Sequence, residues 1–557
     1  MKRRLRLLYI LVLIFFPLIS ASSLNEIAKV ELKGSEFQFV DSTQDSLGNA
    51  YIIGSFSKGA VFGDIELKTL ETEQEGFAST CWGGAMHQPV EGFIAKMSST
   101  GEWLWAENIK AYPTTIRQYI KYCDSSSIVW LKSVLVDETG VYIIGSSDAK
   151  KLEFGKFSLT AGKDVKQPSY LRVNFIAKMS HNGKWLWAKS LAPNITDIKK
   201  AVLNQNSIFI LGDGALEKKV TQQNGRITKE KTYGQSVAKL DKEGNILWNS
   251  LVPENYFSER NTNLLLNSLV VDSSGNSYVA GTIGGVKVFK EPNKKNLLKF
   301  VGYFLLAKLD SEGKWVWKKS SSESPFIKSS THLSILNDKI YFSGSFENEV
   351  SFDETKLKSV TPLEATGYYN YSEFFAEYTL SGELNKLTSF YSKGYGLNQN
   401  KIIGAVYNSP VSIFGAQELK SLTNDVFVAD YDNNWNTQSF KFTDNITRWN
   451  VYKDYILGTR VIFKGTKVDI FGIVGKIGEI TQLPITPNQL SLEEKKELIS
   501  SSWKEISSDT KISEAELDKF VNYFESIIGE NNAINEYSDS SKVKKFFIEK
   551  KIIEPFL

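Results

Sequence analysis

Few residues in this chain are of types that do chemistry unaided. Among 557 residues there are two cysteines, Cys81 and Cys123, and three histidines, His87, His181 and His332. Thiolate and imidazole are common zinc ligands, but these five are scattered and none stands at the short spacing that a zinc site uses. Asp-rich segments such as Asp137-Glu-Thr-Gly140, Asp241-Lys-Glu-Gly244 and Asp310-Ser-Glu-Gly313 lack the alternating oxygen ligands and closing Glu of a calcium loop. Hairpin turns explain them. No G-x-S-x-G elbow, P-loop or dinucleotide fingerprint stands in a fitting context. Motifs therefore assign no catalytic residue, no metal and no cofactor. Carboxylates such as Glu73, Asp148 and Asp213 are of the type that serves a glycosidase or lyase, which keeps a carboxylate enzyme as an alternative.

The side chains best suited to recognition are Trp82 and His87, an aromatic and a polar group on one long insert, with Tyr112 in the connector that follows. The same insert carries Cys81 and the connector carries Cys123. A bridge between them is expected in an exported chain, two unrelated free thiols being the other possibility.

What positions these residues is a repeat. Phe93-Ile-Ala-Lys96 leads to Gly101 and then Trp103 and Trp105, and Phe175-Ile-Ala-Lys178 leads to Gly183, Trp185 and Trp187. Val237-Ala-Lys239 with Gly244 and Trp248, and Leu306-Ala-Lys308 with Gly313, Trp315 and Trp317, are later copies; the fifth keeps Ala376 and Gly382 but has Lys386 near the tryptophan position. Each is preceded by an aromatic strand with a closing glycine, as in Asp45-Ser-Leu-Gly-Asn-Ala-Tyr51-Ile-Ile-Gly54 and Asp272-Ser-Ser-Gly-Asn-Ser-Tyr278-Val-Ala-Gly281. Seven closing glycines occur, at Gly54, Gly145, Gly212, Gly281, Gly344, Gly404 and Gly458.

Internal repetition at this period signals a repeat architecture. Each unit reads as two hairpins whose Asp, Asn and Gly turns supply the special backbone angles of tight turns. The tryptophan strands are apolar on both faces, so each sheet is sandwiched between neighbours. Stacking four-stranded sheets about an axis meets both conditions and protects the edges. The expected fold is all-β, a β-propeller of about seven four-stranded blades, with repeats at about 39–110, 129–192, 198–252, 267–322, 329–390, 397–445 and 449–483. Residues Ile27–Lys33 read as an outer strand that closes the ring on the last blade near Phe471–Leu483. The long connections at 55–92, 146–173, 213–234, 282–302 and 345–373 fall at one end of the sheets, and part of their length suggests an extra hairpin, as at Val61–Leu67.

The paired phrases D-x-x-G-N-x-Y-x-x-G and F-x-A-K…G…W resemble the bacterial β-propeller repeat family abbreviated SBBP. The resemblance implies an exported propeller and no particular activity. The spacing Asp241…Gly244…Trp248 also resembles the tryptophan repeats of quinoprotein propellers. Those stack their quinone on a disulfide between adjacent cysteines, which this chain lacks.

At the N-terminus, Lys2, Arg3, Arg4 and Arg6 precede an apolar run from Leu7 to Ile19 and then Ser20-Ala-Ser-Ser23. This is the layout of a cleaved signal peptide, residues 1–23, and the run is shorter than a bilayer span. Without those four basic residues the formal charge of +3 falls to about −1, which gives no basis for nucleic acid as a partner. The propeller is expected over 24–484. After Pro484 and Pro487 the pattern turns helical, with capping boxes at Ser491-Leu-Glu-Glu494 and Ser513-Glu-Ala-Glu516, so 487–557 reads as a small helical tail. The expected protein is secreted, periplasmic or at the cell surface, is monomeric and non-enzymatic, and binds a protein or glycan through its long-loop rim. The alternatives are a propeller enzyme, carboxylate-based (glycosidase or lyase) or quinoprotein-like, with its site at the central channel mouth, and an envelope scaffold acting through the tail.

Overall fold

The computed structural model describes residues between 25 and 476; the loops 71–89, 162–172, 222–226, 257–263, 290–296 and 361–371 and several shorter connections lie outside the described residues. Side chains are described between residues 28 and 390, except in those loops, in the segment 113–127 and in 218–229 and 286–300. The expected signal peptide (1–23) and helical tail (487–557) thus fall outside. Contacts divide the chain into two units. One is Leu24–Gln438 with Phe442–Gly478; of the other, Met1–Ser23, Ser439–Lys441 and Glu479–Leu557, only the short 439–441 segment is described.

Strand β1 (Asn25–Leu32) stands ahead of the first repeat, which comprises β2 (Phe37–Gln44), β3 (Ala50–Ser57), an inserted hairpin β4 (Gly59–Phe62) and β5 (Ile65–Lys68), then β6 (Val90–Met97) and β7 (Trp103–Tyr112). A small hairpin, β8 (Thr115–Gln118) and β9 (Lys121–Asp124), leads to the second repeat. That repeat holds β10 (Val129–Asp137), β11 (Gly140–Ser147), the insert β12 (Lys151–Phe154) and β13 (Phe157–Thr160), β14 (Val173–Met179) and β15 (Trp185–Ser190). The third has β16 (Ile195–Asn204), β17 (Ser207–Thr221), β18 (Ile227–Asp241) and β19 (Ile246–Leu251), and the fourth β20 (Leu264–Val271), β21 (Ser277–Phe289), β22 (Leu297–Leu309) and β23 (Trp315–Ser320). The fifth has β24 (Ile327–Leu336), β25 (Lys339–Phe346), the insert β26 (Glu349–Phe352) and β27 (Thr355–Lys358), β28 (Ser372–Thr379) and β29 (Leu384–Tyr391). In the sixth come β30 (Tyr395–Asn398), β31 (Lys401–Val406), the insert β32 (Val411–Phe414) and β33 (Gln417–Lys420), β34 (Asp425–Asp430) and β35 (Asn436–Lys441). Strands β36 (Ile446–Tyr452), β37 (Tyr455–Lys464) and β38 (Lys467–Lys476) end the described chain.

Each repeat folds into an antiparallel four-stranded meander, and β1 supplies the fourth strand beside β38, with Glu31 opposite Phe471 and Asn25 opposite Lys476. The fold is all-β and propeller-like. Its hydrophobic clusters sit between sheets: one joins Tyr51 and Ile53 of the first to Ile143 and Phe175 of the second, another Tyr142 and Ile144 to Ile208 and Ile210 of the third. A single sheet has no interior of its own. Along the first strands, β10 touches β2 and β16, and β20 touches β16 and β24; β24 meets β30, β30 meets β36, and β36 and β37 meet β2.

The closing glycine has a specific cause. In the first four sheets the first strand bulges opposite it, as between Ile198 and Lys200 across from Gly212 and Leu211. The bulge presses a carbonyl onto the glycine, and a Cβ on Gly212 would lie 2.0 Å from the oxygen of Asp197. Only glycine fits there.

The inserts take two forms. Hairpins β4–β5, β12–β13 and β32–β33 pair with the outer strand of the preceding sheet, β1, β7 and β29 respectively, and β26 reaches the end of the fourth sheet through a Ser321–Phe352 bridge. In the third and fourth repeats the central strands instead run on as two-stranded arms, in register to Thr221–Ile227 and Phe289–Leu297. Much of the length that reads as rim loop is therefore regular β-structure.

Candidate functional site

The repeated residues that look most capable of chemistry converge on one small latch at three sheet junctions among the described residues. Asp45 closes the turn before Tyr51 by accepting from the backbone N–H of Leu47 (3.0 Å) and Asn49 (2.9 Å) and from the Tyr51 hydroxyl (3.2 Å). Lys96 lies 5.0 Å from the centre of the Tyr51 ring. Its ammonium donates to the carbonyl of His181 (3.4 Å), in the last turn of the next sheet, and Trp105 Nε1 donates to the same oxygen (3.0 Å). The pattern repeats where Lys239 and Trp248 reach the Ser311 carbonyl, and where Tyr278 and Lys308 reach that of Leu380.

The fixed position of the turn glycine follows from this packing. Gly313 has φ +83°, and a Cβ there would lie 2.7 Å from the indole of Trp248 in the preceding sheet. Burial opposes ionisation of Asp45, but hydrogen bonds from Asn49 and Tyr51 and the charge of Lys96 outweigh it, holding its carboxyl below the usual range. Burial and Asp45 together push the Tyr51 hydroxyl up. At the next junction Asp137 pairs with Lys242 at 2.7 Å. His181, which reads as a turn residue in the sequence, sits in such a turn with Nδ1 2.8 Å from the Tyr51 hydroxyl. The motif chemistry serves cohesion.

The residues singled out for the rim are distributed differently. Trp82, His87, Cys81 and Glu73 lie outside the described residues. Tyr112 ends strand β7, where it pairs with Lys151 of the docked hairpin. Its hydroxyl donates to Glu153 Oε2 at 2.6 Å, and that bond, with some burial, pushes it up to about 12. Cys123 stands on β9 opposite Ile116. Asp148 accepts from the Ile128 N–H at 2.7 Å, and Asp213 pairs with Lys199 at 3.5 Å. Among the described residues no group of three or more His, Cys, Asp or Glu is arranged to hold a metal ion.

A polar level that the motifs do not reveal crosses the first strands. Opposite the residue before each of the first five closing glycines stand Asp41, Ser133, Lys200, Ser268 and His332, on β2, β10, β16, β20 and β24. Three of them reach the backbone of the next first strand. Asp41 Oδ2 accepts from the Val134 N–H (2.9 Å), Ser133 Oγ accepts from the Ala201 N–H (2.9 Å), and Ser268 Oγ donates to the Thr331 carbonyl (2.5 Å). Lys200 and His332 are half-buried. Burial pulls the Lys200 ammonium below its ordinary value against the charge of Asp41, and burial with the charge of Lys200 takes His332 down to about 4. The available sequence signal was a polar residue 12 or 13 positions before each of these closing glycines.

No protein-family model matches the chain, and no curated protein matches it in sequence. Solved structures with a partly similar trace include a putative hydrolase from Bacteroides ovatus, at 12% identity and TM-score 0.24, covering 57% of this chain and 80% of that one. A mutant β-fructofuranosidase from Microbacterium saccharophilum is another, at 9% identity and TM-score 0.25, covering 71% of this chain and 86% of that one.

Proposed function

We propose that this chain is an exported, non-enzymatic β-propeller of seven blades, closed through β1, that binds a protein or glycan at the end carrying its long connections. Kinship with the SBBP repeats is part of the same proposal. Ring closure is supported by the pairing of β1 with β38 and the contact of β2 with β36 and β37. Deleting residues 25–32 should lower the melting temperature; an unchanged value would refute closure.

The observation that carries the binding role is the asymmetry of the two sheet ends. At one end the turns are short, and their Asp, Tyr, Lys and Trp groups are taken up by contacts between sheets. At the other, connections vary from tight turns to projecting arms, and a rigid scaffold with variable connections is a common platform for recognition.

Two variants test this, one replacing 71–89 and one replacing 217–231 with Asn-Gly, alongside Ser99→Trp in a short turn at the opposite end. Labelled proteins are applied to a glycan array and to intact cells of the producing organism. Binding should fall in at least one long-end variant and survive in Ser99→Trp. Loss in Ser99→Trp alone would reverse the assignment of ends. Intact mass with and without reduction and alkylation tests the Cys81–Cys123 bridge, and the N-terminal residue of the exported protein tests cleavage within Ser20–Ser23.

A further inference from the structure

We propose that Asn194 is an N-glycosylation site that carries its glycan at the foot of the third repeat's arm. The chain holds three Asn-x-Ser/Thr sequons, Asn194-Ile195-Thr196, Asn370-Tyr371-Ser372 and Asn445-Ile446-Thr447. Such a triplet marks an acceptor only where it lies on the surface of an exported protein. The site therefore rests on the export proposed above, and it is independent of what the long connections recognise.

The structure separates the three. Asn194 lies in the connector from β15 to β16, at the end of the sheets that carries the long connections. Asn194 and Thr196 are exposed, while Ile195 between them is buried. The backbone there is held from two sides, because the Asn194 carbonyl accepts from the Ala215 N–H (2.9 Å) and from Asn249 Nδ2 (3.0 Å). The Thr196 hydroxyl donates to the Asp213 carbonyl at 3.2 Å. The side-chain amide of Asn194 makes no hydrogen bond or ion pair among the described residues and is left to solvent. At the second triplet Ser372 is fully buried, and its hydroxyl accepts from the Val360 N–H at 2.7 Å. Asn370 and Asn445 lie outside the described residues. The third triplet nonetheless begins a first strand at the register of the first. Ile195 pairs with Gly214 and Ile446 with Arg460, each partner two residues beyond a closing glycine.

The surroundings of Asn194 also suit a glycan. Ala215 opens the arm, and Leu216 beside it is exposed. Ile210 belongs to the cluster shared with the second sheet, and β17 pairs with β18 without a bulge. Strand alternation therefore places Leu216 on the side of the second sheet, from which the connector bearing Asn194 arrives. A glycan on Asn194 would stand beside an apolar side chain that the protein itself leaves uncovered, and a bulky, solubilising group suits that position.

The bond to be made joins Asn194 Nδ2 to the anomeric carbon of the first sugar. The donor required is a lipid-pyrophosphate-linked oligosaccharide. Its bond from the anomeric carbon to the pyrophosphate oxygen breaks, the lipid pyrophosphate leaves, and the amide gives up one proton.

The test is mass spectrometry of the protein purified from the producing organism. Trypsin releases Ser190–Lys199, which holds Asn194 and no other sequon. This peptide should be heavier by a glycan in protein whose N-terminus is cut within Ser20–Ser23. Asn194→Gln and Thr196→Val, expressed in the same organism, should lose the added mass, and Thr196→Ser should keep it. A plain peptide in cut protein would overturn the site and leave export standing. A plain peptide in uncut protein would overturn both. Added mass that persists in Asn194→Gln would put the sugar elsewhere on the peptide and overturn the assignment as well.

Discussion

The first and third repeats are built on the same four-stranded plan and use their inserts in opposite ways. In the first, residues 59–68 fold back as a hairpin whose backbone pairs with β1 of the preceding sheet while Phe62 packs on its own Phe93 and Trp103, each at 5.0 Å. The hairpin thereby holds two sheets with one short element. In the third, residues 215–234 continue the central strands outward, and Leu216 and Tyr233 at the base of the arm stay 41% and 64% exposed. Two of the outer strands that receive no hairpin are also built differently. Strand β15 runs into Leu191-Ala-Pro193 and β19 into Leu251-Val-Pro253, and proline cannot donate to another strand, so it blunts an edge. A docked hairpin protects an edge by covering it and a proline by ending it. The second device leaves the insert available for another task.

The largest effect expected from this contrast falls on the hairpin phenylalanines. Phe62 and Phe154 are fully buried, and Phe154 lies 5.1 Å from Phe175 and 5.2 Å from Trp185. Truncating either to alanine removes core packing and loosens a contact between two sheets, so each should cost about 3–5 kcal/mol in denaturant unfolding. A loss under about 1 kcal/mol, the range of surface changes, would mean that the hairpins decorate the sheets without holding them.

A second prediction concerns a position common to both kinds of repeat. Opposite the residue after the closing glycine stand Asn174, Gln235 and Glu373 in the second, third and fifth sheets. Asn174 donates to the Ile195 carbonyl at 3.1 Å, and Gln235 donates to that of Leu264 (2.8 Å) while accepting from the Leu266 N–H (2.6 Å). The amide ties each sheet to the next. Glu373 is buried at this position with Oε2 unpartnered, and burial raises it to about 7 against the charge of Lys328 and the Ser345 hydroxyl. Below the ordinary carboxyl value both the folded and the unfolded chain are protonated, and the group costs nothing. As pH rises toward 7 the unfolded chain ionises first, so stability falls with pH. Glu373→Gln should remove that slope, adding about 2–3 kcal/mol at pH 8 and little at pH 4.5. Equal effects at both pH values would show that ionisation of Glu373 does not matter to the fold.

The sequence carried the sheets well because the residues that define the repeat also join the sheets. Asp45, Tyr51, Lys96, Trp105 and Gly183 have fixed spacing since all five meet at one latch, and a latch tolerates no change in register. The docked hairpins were partly legible. Val61–Leu67 stood out, yet Phe62-Gly63, Phe154-Gly155, Phe352-Asp353 and Phe414-Gly415 repeat one phrase, an aromatic before a tight turn. The polar level at Lys200 and His332 was hidden for a different reason. Side chains on a strand alternate with period two, and the bulge between Ile198 and Lys200 breaks that count. Counting back from Gly212 by twos therefore gives the wrong face.

The smallest effect belongs to the arms, and it separates them most cleanly from the hairpins. The pairing that ties β17 and β18 into the third sheet is complete at Gly214 opposite Gly234, below which Leu211 and Val237 are fully buried. Beyond it Leu216, Glu217, Glu230, Lys231, Thr232 and Tyr233 are all exposed. Exposed strand residues bury little apolar area, and shortening a surface loop changes closure entropy only slowly. Replacing 217–231 with a two-residue Asn-Gly turn should therefore shift stability by no more than about 0.5 kcal/mol, the scale of surface substitutions. The same replacement of 60–67 in the first repeat should cost at least as much as truncating Phe62 alone, because Ala60, Phe62 and Leu67 leave the core with it. If the arm proved as costly as the hairpin, it too would have to be part of what holds the sheets together, and the division of inserts into fasteners and projections would fail.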